Sequence, residues 1–311
     1  MTIAIAGSGD LTRYLVEEFL AASIPVALLV RHTPKPHFTN LPNLTQRIVD
    51  YNSIESLTNA LNEVQATTVI STILTYDASE FVTTQKNLIA AAQQASKSVT
   101  RFIPSEYGVD IAKYPDQPGF YWETREPIRE ILRNQWKLEW TLVCCGWIVD
   151  YIIPPANRYM KDIGDAFPVN LTAKRMVIPG TGSEKVDWIA ARDLARGIVS
   201  LVKVPEGQWG RYVYLSGQRL SCDELAAIVK EKYPDTGFQV EYLSLRTLGN
   251  AVRDAKDDFE RIEAEYRIVI PSGSCGFEEA VVQRDRDRYF KNVKFRTVKE
   301  VLDAAEQGVI V

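Results

Sequence analysis

The sequence has few of the residues that build metal centres or disulfide frameworks. Its 311 residues include four cysteines and two histidines, namely Cys144, Cys145, Cys222, Cys275, His32 and His37. No two cysteines have the C-x-x-C spacing, and the adjacent pair lies in an apolar run, where cysteine usually behaves as a small buried hydrophobe. We therefore expect no metal site and a reducing compartment.

Long apolar segments and an excess of positive charge are also missing. The longest apolar runs are strand-length stretches such as TVISTIL, far shorter than a membrane-spanning helix. The net charge is -4, which does not suggest a nucleic-acid-binding surface. The chain opens directly into MTIAIAGSG, without the charged and apolar regions of a secretion signal. These features predict a cytoplasmic protein that binds neither membranes nor nucleic acids.

The first 150 residues alternate between strand-like and helix-like segments. The apolar stretch IAIAG, for example, is expected to form a buried strand and precedes LTRYLVEEFLAA, in which the apolar residues have helical spacing. Such alternation predicts an α/β fold with a doubly wound parallel sheet. The expected strands lie at 3–7, 24–31, 44–50, 67–74, 100–105 and 140–148. One helix is expected over YWETREPIREILRNQ.

The alternation ends near residue 150. Irregular structure with short strands follows, and two later helices are expected to begin at capping boxes, Ser221 with Glu224 and Thr297 with Glu300. This pattern predicts a sheet domain over 1–153, to which 186–217 returns, and a smaller α-rich portion over 154–311.

Two glycines separate the first predicted strand from the first helix. In IAIAGSGDLT, Gly7 permits a tight turn, and Gly9 lets the backbone approach a pyrophosphate at the helix N-terminus. The third glycine of the G-x-G-x-x-G pattern is replaced by Thr12, at a position that governs helix–strand packing. The pattern predicts an NAD(P)-binding Rossmann domain. The alternative is a glycine turn beside an empty cleft.

The second predicted strand ends in a cation. Arg31 lies about twenty residues beyond the glycines, where an NAD-selective protein would carry an acid for the ribose 2′-hydroxyl. An arginine there suits a 2′-phosphate, and Lys35 could add a second cation. We therefore favour NADP(H) as the cofactor; the alternative is that both residues are solvated loop charges.

The segment RFIPSEYGVD at 101–110 resembles the R-F-x-P-S-E-[FY]-G stretch of NmrA-like and isoflavone-reductase-like proteins, a group of atypical short-chain dehydrogenases. TTQKNLIAAAQQA, WTLVCCGWIVDYIIP, VIPGTGSEKVDW and ARDLARGIV are similar to the same group, especially its fungal members. The resemblance covers nearly the whole chain and implies an NADP-binding Rossmann domain with a smaller C-terminal substrate domain. Many members are NADPH-dependent reductases of aromatic or other secondary metabolites, whereas others only bind or sense the nucleotide.

The resemblance also implies which residues meet the cofactor. The implied contacts are a phosphate loop at Gly7, Gly9, Asp10 and Leu11, a 2′-phosphate contact at Arg31, an adenosine-to-ribose path along Thr72, Ile73 and Leu74, and a nicotinamide region near Pro104, Ser105, Glu106, Gly146 and Trp147. These positions agree with the rule that ligands of such sheets bind beyond the carboxyl ends of the strands.

One position departs from the reductases that the chain resembles. They carry a lysine three residues before the I-R of their PIR-like segment, where this chain has Arg125. A lysine can lose its proton when buried and act as a base, whereas an arginine stays protonated. Arg125 can therefore anchor a ligand or stabilise an oxyanion, but it is poorly suited to abstract a proton.

Tyr121 and Arg125 are the first candidates for catalysis. They share one face of the predicted helix, and a neighbouring cation makes a phenol a stronger acid. In one interpretation Tyr121 protonates a carbonyl oxygen while Arg125 holds the developing charge. Alternatively Arg125 only binds cofactor or substrate, or Tyr121 packs at the helix start and Arg125 pairs with Glu123 or Glu126.

Further candidates follow the predicted strands. Asp150 could act as an acid or base if it is desolvated. Glu106, Trp147, Tyr151 and Tyr159 are candidates for the substrate site, with strand-end capping and core packing as the alternatives for these residue types.

Together these features favour an NADPH-dependent reductase of an aromatic or conjugated small molecule. Two other functions remain open: a non-redox dehydratase, cyclase or isomerase on the same scaffold, and a nucleotide sensor without turnover. The expected partner is a small-molecule substrate, and the expected assembly is a monomer or homodimer. The sequence does not identify the substrate or the stereochemistry.

Overall fold

The computed structural model describes residues 1–96 and 99–311. The chain divides into two units and crosses between them several times. Unit 1 comprises Met1–Glu106, Glu123–Val143 and Ala195–Val213. Unit 2 comprises Tyr107–Trp122, Cys144–Leu194 and Tyr214–Val311.

Unit 1 contains a six-stranded parallel sheet with the strand order β3-β2-β1-β4-β5-β6. Its strands are β1 (Ile3–Ala6), β2 (Val26–Val30), β3 (Leu44–Ile48), β4 (Thr68–Ser71), β5 (Arg101–Ile103) and β6 (Glu139–Trp140). All residues of β1, β2 and β4 are buried, as expected for central strands covered on both faces. The predicted doubly wound α/β fold is therefore confirmed.

Two of the helices between these strands begin at a side-chain cap. Ser53 Oγ and Asp77 Oδ1 accept backbone N–H groups at the starts of two helices, at 3.1 and 2.8 Å. The helices along the first part of the chain are α1 (Asp10–Ala21), α2 (Ile54–Glu63), α3 (Ala78–Gln94), α4 (Tyr121–Thr124) and α5 (Glu126–Arg133), and α6 (Ala191–Val202) follows later in the chain.

The strand predicted over 140–148 is wrong as a single element. It is divided among β6, β7 (Leu142–Cys144) and β8 (Trp147–Ile148), each in a different sheet. Gly146 contributes to the break, because its φ of +64° is incompatible with an extended strand. β7 pairs with β12 (Tyr212–Tyr214).

Unit 2 contains two three-stranded sheets and several helices. One sheet has the order β13-β11-β8 and the other β14-β10-β9, with β9 (Val169–Asn170), β10 (Arg175–Pro179), β11 (Lys185–Ile189), β13 (Gln218–Ser221) and β14 (Gln239–Leu243). Its longer helices are α7 (Cys222–Lys232), α8 (Leu245–Arg253), α9 (Asp258–Ile268), α10 (Glu279–Tyr289) and α11 (Val298–Glu306). Both predicted capping boxes are present, at the starts of α7 and α11.

The two units do not follow the predicted boundary at residue 153. Residues 107–122 and 144–153 lie in unit 2, and only 195–213 of the segment 186–217 lie in unit 1. Unit 2 is also not the smaller part of the chain. The roles of the two parts, cofactor binding and substrate binding, stay predictions. Among the helices of the described residues, none is long and apolar enough to cross a membrane.

Candidate functional site

The two glycines after β1 have different structural roles. Gly7 has a φ of +108°, and a side chain there would lie 2.6 Å from the hydroxyl of Thr72. A Cβ at Gly9 would have nothing within 4 Å. Gly7 is therefore required by its backbone conformation and by its contact with the end of β4. Gly9 instead leaves open space beside the start of α1.

The start of α1 is suited to an anion. Gly9 is the residue before the helix and provides no side-chain cap. A helix cannot pair its first N–H groups with its own carbonyls, and its dipole favours negative charge at this end. The N–H of Gly7 donates to the Tyr51 hydroxyl at 3.2 Å, so an anion would meet the donors of the first turn of α1 instead.

Tyr51 connects the glycine turn to the second strand. Its hydroxyl accepts the Gly7 N–H and donates to the carbonyl of Leu29 at 2.9 Å. The side chain is buried, and burial raises the pKa of Tyr51, which keeps the phenol neutral. No local sequence pattern identifies Tyr51, because its partner Gly7 lies 44 positions earlier in the chain.

Thr12, which replaces the third glycine, is fully buried. Its hydroxyl lies 2.8 Å from that of Thr72 and donates to the Gly7 carbonyl at 3.3 Å. The Thr72 hydroxyl in turn lies 3.2 Å from the carbonyl oxygen of Ala6. Two threonines thus join the start of α1 to the ends of β1 and β4, and the Thr12 hydroxyl is hydrogen-bonded inside the fold.

Arg31 lies directly after β2, as predicted, and forms an ion pair. Its guanidinium is 2.8 Å from Glu80, and both side chains are a little under half exposed. The Arg31 guanidinium carbon also lies 5.9 Å from the centre of the Tyr51 ring. Arg31 therefore lies close to Tyr51, which contacts the glycine turn, and its positive charge is paired with the carboxylate of Glu80.

Lys35 lies in the loop after β2 and is held by its backbone. Its N–H donates to the side-chain oxygen of Gln46 at 2.7 Å, and its carbonyl accepts from the same amide at 3.3 Å. Burial lowers the pKa of His37, and the charges of Arg13 and Lys35 lower it further. Arg13, on α1, is thus another cation near this loop, and sequence analysis missed it.

The predicted adenosine path follows β4. Ile73 is buried, whereas Leu74 is 61% exposed. Before them, the hydroxyl of Ser71 accepts a hydrogen bond from the buried amide of Gln85 at 2.7 Å, which connects β4 to α3. An exposed leucine at a strand end is available to a ligand.

The SEYG segment contains a buried ion pair. Pro104, Ser105 and Glu106 are all buried after β5. Both oxygens of Glu106 accept from Arg129 of α5 at 2.8 Å, and both side chains are 1% exposed. Arg129 was not identified from the sequence. The pair gives Glu106 a structural role, and its predicted contact with substrate stays a prediction.

Arg125 lies at a break between two helices. The single helix predicted over this region is wrong: α4 ends at Thr124 and α5 begins at Glu126, because Pro127 lacks the N–H that a continuous helix needs. The Arg125 side chain is 3% exposed and donates to the Thr124 hydroxyl at 2.9 Å. Its guanidinium lies over the Phe81 ring, 3.9 Å from the centroid, as in a cation–π contact.

Tyr121 belongs to unit 2, whereas Arg125 belongs to unit 1. Tyr121 is 5% exposed and packs edge-to-face on Phe120, with ring centroids 4.9 Å apart. Its hydroxyl lies 3.7 Å from the position that a Cβ at Gly108 would occupy. The phenol therefore points to the glycine of the SEYG segment.

Two of the predicted substrate residues belong to one aromatic cluster of unit 2. Trp147 packs against Phe167 and Tyr266, with centroids 5.8 and 6.0 Å apart, and Tyr151 packs against Phe167 at 5.0 Å. The third aromatic candidate, Tyr159, is half-buried. The cluster provides flat apolar surface, and part of its burial reflects core packing.

Gly146 and Asp150 have contacts that explain them structurally. A side chain on Gly146 would collide with the carbonyl oxygen of Asp187 in β11. Asp150 is fully buried, and its carboxylate accepts the N–H of Ala191, the first residue of α6, at 2.8 Å. Their predicted roles near the nicotinamide and in proton transfer stay predictions.

A doubly wound parallel sheet with a glycine turn after its first strand is the architecture of Rossmann-type α/β proteins. The chain belongs to the NmrA-like family, whose model matches residues 1–287. The resemblance expected from the SEYG segment is thereby confirmed.

Two fungal relatives match nearly the whole chain. Oxidoreductase swnR of Arthroderma benhamiae is 42% identical over 308 residues, which is 99% of this chain and 98% of the relative. Oxidoreductase swnR of Metarhizium robertsii is 40% identical over 302 residues, or 97% and 96% of the two chains. The structure of the leucoanthocyanidin reductase–NADPH complex from Vitis vinifera has a TM-score of 0.72 at 19% identity and covers 98% of this chain and 99% of that chain, a likeness of fold.

Proposed function

We propose that this protein is an NADP(H)-dependent oxidoreductase that reduces a small molecule. The glycine turn and the open start of α1 support dinucleotide binding, and Arg31 at the end of β2 supports selection of the 2′-phosphate. The fungal relatives are named oxidoreductases, and the grape reductase of the same fold was solved with NADPH. The observation that carries the proposal is the space at Gly9 beside the uncapped helix.

The proposed contacts divide along the nucleotide. The N–H groups at the start of α1 hold the pyrophosphate, Arg31 holds the 2′-phosphate, and the exposed Leu74 lies along the adenosine path. Pro104 and Ser105 stay candidates for the nicotinamide region. Bound NADPH would supply the hydride, so the chain itself must deliver a proton and stabilise negative charge on the substrate.

Tyr121 is the proposed proton donor, and Arg125 is the proposed group that stabilises the negative charge. Arg125 remains cationic and therefore suits charge stabilisation better than proton transfer. The aromatic cluster around Trp147 supports a flat, aromatic or conjugated substrate, since such rings favour stacked and edge-to-face contacts.

Nucleotide titrations test the cofactor assignment. We expect NADPH to bind more tightly than NADH, and Arg31→Ala to weaken NADPH binding about tenfold while leaving NADH unaffected, because the lost contact is charge-assisted. The measurement is protein fluorescence during titration. Arg253→Ala is a matched control, because Arg253 is also exposed and pairs with a carboxylate, that of Asp254. Equal binding of both nucleotides by the wild-type protein would contradict NADP(H) selection.

Turnover is tested by following the loss of reduced-nicotinamide absorbance with a panel of quinones, enones and imines. Oxidation with any of them supports the reductase. A nucleotide-binding protein without turnover is the second candidate, favoured by the burial of Arg125 over Phe81 at the position of the reductases' lysine. Tight binding without oxidation across the panel would support that candidate.

A further inference from the structure

The Arg31–Glu80 ion pair joins the two chain connections that flank the glycine turn. Arg31 follows β2, and Glu80 lies in the first turn of α3, after β4. In the sheet, β1 lies between β2 and β4, and the glycine turn follows β1. The ion pair therefore joins residues on either side of β1, beyond the carboxyl ends of the strands. On the proposed function, the adenosine half of the nucleotide binds at these strand ends.

Glu80 is held in position by its own contacts. Its Oε2 accepts the Thr75 hydroxyl at 2.8 Å, and its Oε1 is 2.8 Å from Arg31. Its backbone N–H donates to the Asp77 carboxylate at 2.8 Å, which fixes the first turn of α3. The carboxylate is thus aimed at Arg31 by a short loop and a capped helix.

We propose that Glu80 is a specificity-determining residue, which competes with the nucleotide 2′-phosphate for Arg31. This inference rests on the proposed function. A phosphate carries a charge of about −1.5 to −2 near neutral pH and repels a neighbouring carboxylate. Arg31 must leave Glu80, or share its donors, to make a bidentate contact with the phosphate.

The competition is weak enough for NADPH still to bind. Exposed ion pairs contribute little to stability, and Arg31 and Glu80 are 47% and 41% exposed. Breaking this pair should therefore lower NADPH affinity by no more than about fivefold. NADH has no 2′-phosphate and can bind with the pair intact. Glu80 thus reduces the difference in affinity between NADPH and NADH.

Glu80→Gln tests this competition with little change in structure. Glutamine keeps an oxygen that can accept the Thr75 hydroxyl but has no charge. We expect the variant to bind NADPH about two- to fivefold more tightly and NADH with unchanged affinity. When Arg31 is already alanine, Glu80→Gln should give a much smaller gain, because the competition requires both side chains.

Glu63→Gln is the matched control. Glu63 pairs with Arg47 at 3.1 Å, so this variant also removes one exposed, paired carboxylate from unit 1. It should leave both affinities unchanged. Titrations at about 0.05 M salt and at about 0.5 M salt add a second check, since screening should reduce the gain from Glu80→Gln.

Three results would overturn the assignment of Glu80. Weaker NADPH binding in Glu80→Gln would mean that Glu80 positions Arg31 for the phosphate. Weaker NADH binding would mean that Glu80 accepts a ribose hydroxyl, and unchanged binding of both would mean that it has no part in selection. A wild-type protein that binds neither nucleotide would instead overturn the proposed function, and this inference with it.

Discussion

Thr12 differs from the glycine that the Rossmann pattern expects at its position by a whole side chain, a β-carbon that carries a methyl and a hydroxyl. The hydroxyl is shared with Thr72 and the Gly7 carbonyl, so the larger side chain is accommodated by a partner 60 residues away. The sequence shows the substitution but not the partner, because the pairing depends on how β4 lies beside β1. For the same reason it predicts Glu106 as a site residue and misses Arg129.

Tyr121 is the side chain on which the proposed reduction depends most directly. Tyr121→Phe removes only the hydroxyl and keeps the ring against Phe120. We expect turnover to fall about 10²–10⁴-fold, the usual contribution of a general acid, with NADPH affinity unchanged. The measurement is the rate of NADPH oxidation with the best substrate of the panel.

Tyr289→Phe is the matched control for that experiment. Tyr289 also lies in unit 2 and, like Tyr121, is 5% exposed. Its variant should keep full turnover. If Tyr121→Phe does so too, Tyr121 is a residue that only packs against Phe120, and the proton comes from another group.

Helices and strands were predictable where the signal is local. Apolar periodicity and capping residues depend on near neighbours, and five of the six expected strands each correspond to one strand of the parallel sheet. The strand prediction failed where the structure depends on which strands pair with each other. Residues 140–148 are mostly apolar and resemble one strand in the sequence, yet they contribute strands to three sheets. The break between α4 and α5 is a different case, because the sequence itself contains the residue responsible, Pro127. The amphipathic pattern of the whole segment nevertheless favoured a single helix.

The Glu106–Arg129 pair ties the end of β5 to α5, and its loss should be costly. Glu106→Gln removes the carboxylate that accepts both close hydrogen bonds from the buried Arg129 guanidinium and leaves the longer ion pair with Glu126, at 3.5 Å. We expect the free energy of unfolding to fall by about 3–5 kcal/mol, as for other broken buried ion pairs. Urea denaturation measures this change.

Replacing both Glu106 and Arg129 distinguishes two effects on the free energy of unfolding: the loss caused by removing one partner of the ion pair, and the net contribution of the intact pair. Glu106→Leu with Arg129→Met should recover much of the lost stability, since apolar replacements of buried pairs are often close to neutral. Glu63→Gln, in an exposed pair, should change stability by less than about 1 kcal/mol. Wild-type stability of Glu106→Gln would contradict a structural role and leave substrate contact as its explanation.

The division of the chain was the part least accessible to sequence analysis. Residues 107–122 belong to unit 2 and 195–213 to unit 1, although their order in the chain suggests a single boundary. Such exchanges depend on contacts between distant segments, such as the hydrogen bond from the N–H of Asp110 to the carbonyl of Ser274 at 2.8 Å. Composition and periodicity do not indicate which distant segments make these contacts.

The four cysteines all lie in unit 2, and each is a buried thiol. Burial raises the pKa of Cys145 and Cys222 from 9.0 to about 12, and that of Cys275 well above 9.0. Burial likewise raises the pKa of Tyr51 and Tyr214 above 10.0. Below about pH 8 these groups are almost entirely neutral in both folded and unfolded chains, so their protonation has little effect on stability there.

Above that pH the unfolded chain loses protons that the folded chain keeps, so stability falls as pH rises. The expected loss is about 1.4 kcal/mol for each such thiol between about pH 8 and pH 10. Urea midpoints at about pH 8 and pH 10 measure it, and Cys145→Ala should show a smaller decrease than the wild-type protein. The native thiols should also resist alkylation at about pH 8 and react once urea unfolds the chain. Rapid alkylation without urea would contradict the burial of these cysteines, and with it the expected alkaline loss of stability.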